Sequence, residues 1–197
     1  GLDTPSSTLA LLNAMRDSGY RIGEVPGLAS GDGDALMHAL IERGGLDPDW
    51  LTDTQMAERA IRVPAARYRE WFGTLPEELR DAMVQHWGEP PGELFVDRSR
   101  DPDGEIIVSA IQSDNIVILV QPPRGFGENP IAIYHDPDMP PSHHYLGTYF
   151  WLRHSFGAHA VIHMGKHGNL EWLPGKSVGV SANCGPDAAL GDLPLIY

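Results

Sequence analysis

EIIVSAIQ (residues 105–112) and NIVILVQP (115–122) are separated only by Ser113 and Asp114, and their reading decides the fold. Both runs are short and rich in β-branched residues. Turn formers bound them, Asp101 to Gly104 before the first and Ser113 to Asn115 between the two, so both read as strands. ELFVD (93–97) reads the same way. The run from Ile116 to Val120 has no polar alternation, which suits a strand covered on both faces.

Downstream, SHHYLGTYFWLRHSFG (142–157) reads as a helix capped by Ser142 and stopped by Gly157. AHAVIHM (158–164) follows as another buried strand. Strand, helix and strand make a βαβ unit, so a parallel pair joined right-handedly is expected. Ligands in open α/β sheets bind beyond the carboxyl ends of the strands. Here those ends lead into QPPRGFGENPIAIYHDPDMPPSHH (121–144) and HMGKHGNLEWLPGK (163–176).

Upstream, the first ninety residues read as helical. TPSSTLALLNAMRDSGY (4–20) has Ser6 or Ser7 as a cap, apolar Leu9, Leu12 and Met15 at helical spacing, and Gly19 as a stop. DGDALMHALIERGG (32–45) repeats the scheme with Asp32 or Asp34 at the start. VPAARYREWFGTL and LPEELRDAMVQHWGE each place Pro at a first helical turn. The fold class is therefore α/β: a mainly helical segment over 1–92, then an α/β segment over 93–197 with a mainly parallel sheet.

Of the 197 residues, 42% are hydrophobic, enough for a core. The net charge of -13, from 27 acidic and 14 basic side chains, argues against binding a phosphate backbone or an anionic membrane. The single cysteine, Cys184, excludes an internal disulfide and fits a reducing compartment. No apolar run approaches the ~20 residues of a membrane span. Gly1 at the start and the apolar DLPLIY at the end suggest a piece of a longer chain.

HMGKHGNLEWLPGK sets His163, His167 and Glu171 at helical spacing, yet Gly165, Gly168 and Pro174 oppose a helix. A glycine-rich loop is expected to gather these three groups. Imidazole with carboxylate suits a divalent first-row metal ion, and the carboxylate can also take protons from a substrate. The competing reading is a turn whose histidines bond backbone carbonyls and whose Glu171 caps a helix. Asn169, Leu170 and Leu173 read as packing and turn residues; Trp172 reads as a wall that could also stack on a flat ligand.

Arg124, in a Gly/Pro loop beside a strand end, is placed to pair with carboxylates. His135, His143 and His144, with Asp136 and Asp138, form a second and weaker metal candidate, since prolines and a helix cap account for much of that spacing. HMGKH lacks the glutamate of H-E-x-x-H, and LPGKS has Leu170 where a phosphate-binding loop needs its first glycine.

The stretches QPPRGFGENPIAIYHDPDMPPSHHYL and HMGKHGNLEWLPGKSVGVSANCGPDAALGDLPLIY resemble the large, CobN-type subunit of aerobic cobaltochelatase, a family related to the magnesium chelatase large subunit. The likeness extends through GLDTPSSTLALLNAMRDSGYRIGEVP and WLTDTQMAERAIRVPAARYREWF. Family members are several times longer. The resemblance implies a metal–nitrogen ligase that inserts Co(II) into hydrogenobyrinic acid a,c-diamide during cobalamin synthesis, in the cytoplasm. It also implies ATP, with Mg, used by separate AAA+ subunits of the CobS and CobT type. It places the family's chelation glutamate at Glu171, flanked by His163 and His167 as metal-handling groups. Arg124, Lys166, Lys176 and Trp172 are then expected to meet the tetrapyrrole, and the isolated fragment is expected to be inactive alone. Magnesium chelatase, or a non-catalytic tetrapyrrole- or metal-binding module, are the alternatives.

Overall fold

The structure, a computed structural model, describes residues 2–43, 60–125, 136, 138–166, 168–175 and 181–197, and of Glu171 the backbone. The chain forms two compact units. One holds residues 1–61, 109–120 and 164–167; the other holds 62–108, 121–163 and 168–197. Neither is bounded at residue 92. Among the described residues no helix is long and apolar enough to cross a membrane.

The first unit contains α1 (Thr4–Asp17), α2 (Gly33–Ile41), β4 (Ala110–Ser113) and β5 (Ile116–Leu119). Asp3 caps α1 through Ser6 N–H at 3.0 Å, ahead of the expected Ser6 or Ser7, and Asp32 caps α2 through the amides of Asp34 and Ala35. Leu9, Leu12, Leu36 and Leu40 face Ile111 and Ile118 in one apolar cluster. β4 and β5 pair antiparallel with Ser113 opposite Ile116, so the connection is a two-residue hairpin turn. Asp114 takes the left-handed conformation that such a turn demands (φ 48).

The second unit contains β1 (Ile61–Pro64), whose Ile61 belongs to the first, then α3 (Ala65–Phe72), α4 (Glu77–Trp87), β2 (Val96–Asp97) and β3 (Glu105–Val108). It continues with α5 (His143–Phe150), β6 (Val161–Ile162), α6 (Gly185–Leu190) and β7 (Leu195–Ile196). Pro64 and Pro76 stand at the N-caps of α3 and α4. The strand order is β1-β3-β2, with β2 and β3 antiparallel. Arg62 ties this sheet together, 2.8 Å from Asp97 and 2.7 Å from Glu105. α5 lies on β3, and Gly147 is what lets it approach: a Cβ there would sit 2.8 Å from Ile106 Cδ1. Ser142 caps α5 as expected. A π-helical turn, Trp151–Phe156, follows, and Gly157 ends it at φ 72.

The mixture of helix and strand agrees with the expected class, but the described residues form no mainly parallel sheet. Among the described residues the sheets are small and mostly antiparallel, while β6 and β7 pair in parallel. Two local facts explain this. The Asp114–Asn115 turn folds β5 straight back on β4, so β5 has no role in a crossover to β6. The run 105–112 also breaks at Ser109, so β3 and β4 serve different units. β5 is half-buried rather than covered on both faces, and β6 is not buried, with Ile162 39% exposed.

Candidate functional site

His163 directly follows β6. Its backbone N–H donates to Ile196 O at 2.8 Å, and its ring meets the Tyr197 ring edge-on at 5.3 Å. Nε2 lies 3.4 Å from the Tyr149 hydroxyl, one of the contacts α5 sends to this end of the unit. Gly168 is what allows the closest approach, since a Cβ there would stand 2.6 Å from His163 Nδ1. The described residues between His163 and Asn169 do not form a helix; Leu170–Trp172 is a single 3-10 turn. The described residues from His163 to Asn169 therefore run as a loop, and the Glu171 backbone lies in the 3-10 turn that follows.

One amide side chain anchors that loop. Gln121 Oε1 accepts Asn169 N–H at 2.9 Å, while Gln121 Nε2 donates to the hydroxyls of Tyr149 at 3.0 Å and Tyr145 at 3.3 Å. Tyr145 donates to Asn169 Oδ1 at 2.8 Å, and Asn169 Nδ2 donates to Pro122 O at 2.9 Å. Tyr145 and Tyr149, four residues apart on one face of α5, stack with ring centroids 5.2 Å apart. Beyond Asn169, Leu170 and Leu173 are buried, and Gly185 N–H donates to Pro174 O at 3.0 Å. Cys184 is a small buried thiol, as its surroundings in sequence suggest; its Sγ accepts Ser181 N–H at 3.1 Å.

The expected groups are placed as follows. Arg124, expected to meet carboxylates, is only 1% exposed, and its Nη2 donates to the carbonyls of Asp136 at 2.8 Å and Met139 at 3.1 Å. Burial holds its pKa below the ordinary guanidinium value. Both carbonyls belong to the described end of the Pro-rich segment. Trp172 is 41% exposed and Lys166 is exposed. His167, Lys176 and the Glu171 side chain lie outside the described residues.

The second histidine group reads differently from its sequence. His143 Nε2 donates to Gly88 O at 2.9 Å and His144 Nε2 donates to Ile107 O at 3.0 Å. A carbonyl only accepts, so both rings carry their proton on Nε2. His143 Nδ1 then accepts the Tyr68 hydroxyl at 2.8 Å. Burial lowers both pKa values, that of His144 to about 4. These are neutral core histidines, and Asp136 spends an oxygen on Asp138 N–H at 2.9 Å. His135 lies outside the described residues. Among the described residues no three His, Cys, Asp or Glu side chains gather as a metal site. A cleft of about 180 Å³ opens at the N-terminal end of α5, walled by Trp87, Pro91 and Leu94; of the candidate residues, His143 and His144 line it.

Gln121, Tyr145 and Tyr149 were not legible as site residues. The only signal was the i, i+4 tyrosine pair on a helix aimed at the loop, and nothing in a lone glutamine after a strand announces its partners.

Comparison with known proteins covers the whole chain. Residues 1–197 match the family model described as CobN/Magnesium Chelatase. A solved structure, the catalytic subunit of cobaltochelatase from Mycobacterium tuberculosis, is 64% identical with a TM-score of 0.85, covering 100% of this chain and 16% of that one. The aerobic cobaltochelatase subunit CobN of Pseudomonas aeruginosa is 43% identical over 200 residues, covering 100% of this chain and 15% of the relative. A magnesium-chelatase subunit of Chlorobaculum parvum is 31% identical over 199 residues, covering 100% of this chain and 14% of the relative. The chain thus spans about 15% of the length of these relatives.

Proposed function

The chain belongs to the CobN/magnesium chelatase family, and from that premise we propose that it is a portion of an ATP-dependent cobaltochelatase large subunit that inserts Co(II) into hydrogenobyrinic acid a,c-diamide, acting in the cytoplasm with AAA+ partners of the CobS and CobT type. The observation that carries the choice of cobalt is the gradient of identity, 64% and 43% to cobaltochelatase subunits against 31% to a magnesium chelatase subunit. Asp136-Pro137-Asp138 and the Leu-Glu-Trp-Leu-Pro-Gly-Lys run from Leu170 to Lys176 favour the same side.

Insertion must strip water from the ion, hold it over the macrocycle and remove ring N–H protons. His163 and His167 are suited to hand over the ion, because imidazole binds borderline divalent metals without holding them as tightly as a full thiolate set. Glu171 is suited to accept the protons, and a partly desolvated carboxylate is a better base near neutral pH. Lys166 and Lys176 offer local positive charge to the carboxylate arms of the substrate in a chain of net charge -13, and Trp172 offers a flat wall. Arg124 holds the carbonyls of Asp136 and Met139. ATP hydrolysis falls to the partner subunits, consistent with Leu170 standing where a phosphate-binding loop needs glycine.

In the complete subunit, Glu171→Gln is expected to abolish cobalt insertion while the protein folds and binds tetrapyrrole. Near-normal insertion by that variant removes Glu171 from the mechanism. Insertion assays with cobalt and with magnesium, each with its own tetrapyrrole, decide between the two chelatase readings. The 197-residue chain by itself is expected to be inactive.

A further inference from the structure

A base that removes protons from a macrocycle must be held to a fraction of an ångström, since a misplacement of about 1 Å can cost on the order of a hundredfold in rate. The stretch from His163 to Glu171 contains Gly165 and Gly168, the residue type with the most conformational freedom to lose. Something outside the loop has to fix it. We propose that Gln121 is the positioning residue of this loop, setting it at Asn169 directly and at His163 through the Tyr149 hydroxyl; the proposal rests on the chelatase reading given above.

The polarity of the network follows from its backbone ends. Pro122 O can only accept, so Asn169 turns its NH₂ toward it and its Oδ1 toward Tyr145, which donates. Asn169 N–H can only donate, so Gln121 turns its Oε1 toward the loop and its NH₂ toward both tyrosines. One side chain thus links three places: its own segment at Gln121 and Pro122, two turns of α5, and the loop. The bonds to Asn169 N–H and Pro122 O exclude the flipped amides. Tyr145 and Tyr149 are held in turn by α5, whose packing on β3 through Gly147 is tight. The loop therefore takes its position from a rigid helix by way of Gln121 and Asn169. A hydrophobic residue at 121 would fill the space and lose every one of these bonds. Glutamate at 121 would keep an acceptor for Asn169 N–H and lose the two donors.

The experiment uses the complete subunit with its ATPase partners, cobalt(II) and hydrogenobyrinic acid a,c-diamide. Gln121→Leu is expected to lower kcat at least tenfold with KM for tetrapyrrole and for cobalt within about twofold of wild type. Gln121→Glu is expected to restore kcat to within about threefold, because the Asn169 bond survives. Tyr149→Phe, which removes one hydroxyl from a stacked pair, is expected to lower kcat about fivefold with unchanged KM and is informative even where Gln121→Leu does not fold. A wild-type kcat in Gln121→Leu or Tyr149→Phe overturns the proposal, as does a loss in Gln121→Leu that lies entirely in KM or that Gln121→Glu does not relieve. Glu171→Gln is run alongside. If it inserts cobalt normally, the chelatase role of Glu171 fails; if it is inactive while Gln121→Leu has wild-type kcat, only the positioning role fails.

Discussion

Tyr68 donates its hydroxyl hydrogen to His143 Nδ1 across 2.8 Å, with both side chains buried and the rings meeting nearly at right angles (84°). The bond joins α3 to the first turn of α5, the helix that carries Tyr145 and Tyr149 toward the loop. Its direction is fixed because His143 Nε2 is committed to the Gly88 carbonyl. Tyr68→Phe leaves a buried acceptor without its donor, at a cost of about 1–3 kcal/mol. Urea unfolding of the chain followed by tryptophan fluorescence reads this loss directly. An unchanged midpoint and slope would mean that a water enters to replace the hydroxyl.

The buried histidines also give stability a pH dependence. The pKa of His144 is lowered to about 4 by burial, against an ordinary value near 6.5. The unfolded chain takes up the proton first as pH falls, so the contribution of a neutral His144 is fully present above about 6.5 and is lost progressively down to about 4. Over that window the loss is roughly 3 kcal/mol. His144→Gln keeps a donor for Ile107 O without a titrating ring. Its denaturation midpoint is expected to fall less steeply between pH 7 and pH 4 than that of wild type, and parallel slopes would refute the assignment.

The opposite sign holds for Asp97. Its carboxylate is lowered to about 2, first by Ser99 N–H at 2.8 Å and then by Arg62. A depressed carboxylate stabilises above its ordinary value near 4 and loses that stabilisation as pH falls toward 2. Asp97→Asn is expected to cost about 2 kcal/mol at pH 7 and almost nothing at pH 2, read as the difference in urea midpoints. A penalty that stays constant with pH would show that packing, and not charge, is what the substitution disturbs.

Local signals in the sequence were reliable where one residue decides a local conformation. Asp32 and Ser142 cap helices, and Gly157 stops one, because each acts on the backbone within a few residues. Sequence misleads where a choice depends on distant partners. The unbroken apolar run at 116–120 suggests a strand covered on both faces, but the Asp114–Asn115 turn had already settled an antiparallel hairpin. Nothing local shows that 105–112 divides at Ser109, whose hydroxyl donates to Leu40 O at 2.9 Å, a residue far back in the chain. Gln121 is illegible for the same reason, while Gly165 and Gly168 exclude a helix through the described residues of their stretch.

The contact between Gly147 and Ile106 offers a test of how tightly α5 is seated. Alanine at 147 gains about 1 kcal/mol of helix propensity but places its Cβ 2.8 Å from Ile106 Cδ1. Overpacking of that kind costs about 1–3 kcal/mol, so Gly147→Ala is expected to be net destabilising. Ile106→Val removes the obstructing Cδ1 and alone costs about 1 kcal/mol. Together the two are expected to be at least about 1 kcal/mol less damaging than the sum of the single changes, since one methyl replaces another across the same interface. The same cycle measured on kcat for cobalt insertion in the complete subunit links packing to function. If α5 carries the position of the loop, Gly147→Ala slows insertion without raising KM and Ile106→Val restores it; a strictly additive pair would show that α5 shifts freely and that the loop takes its place from somewhere else.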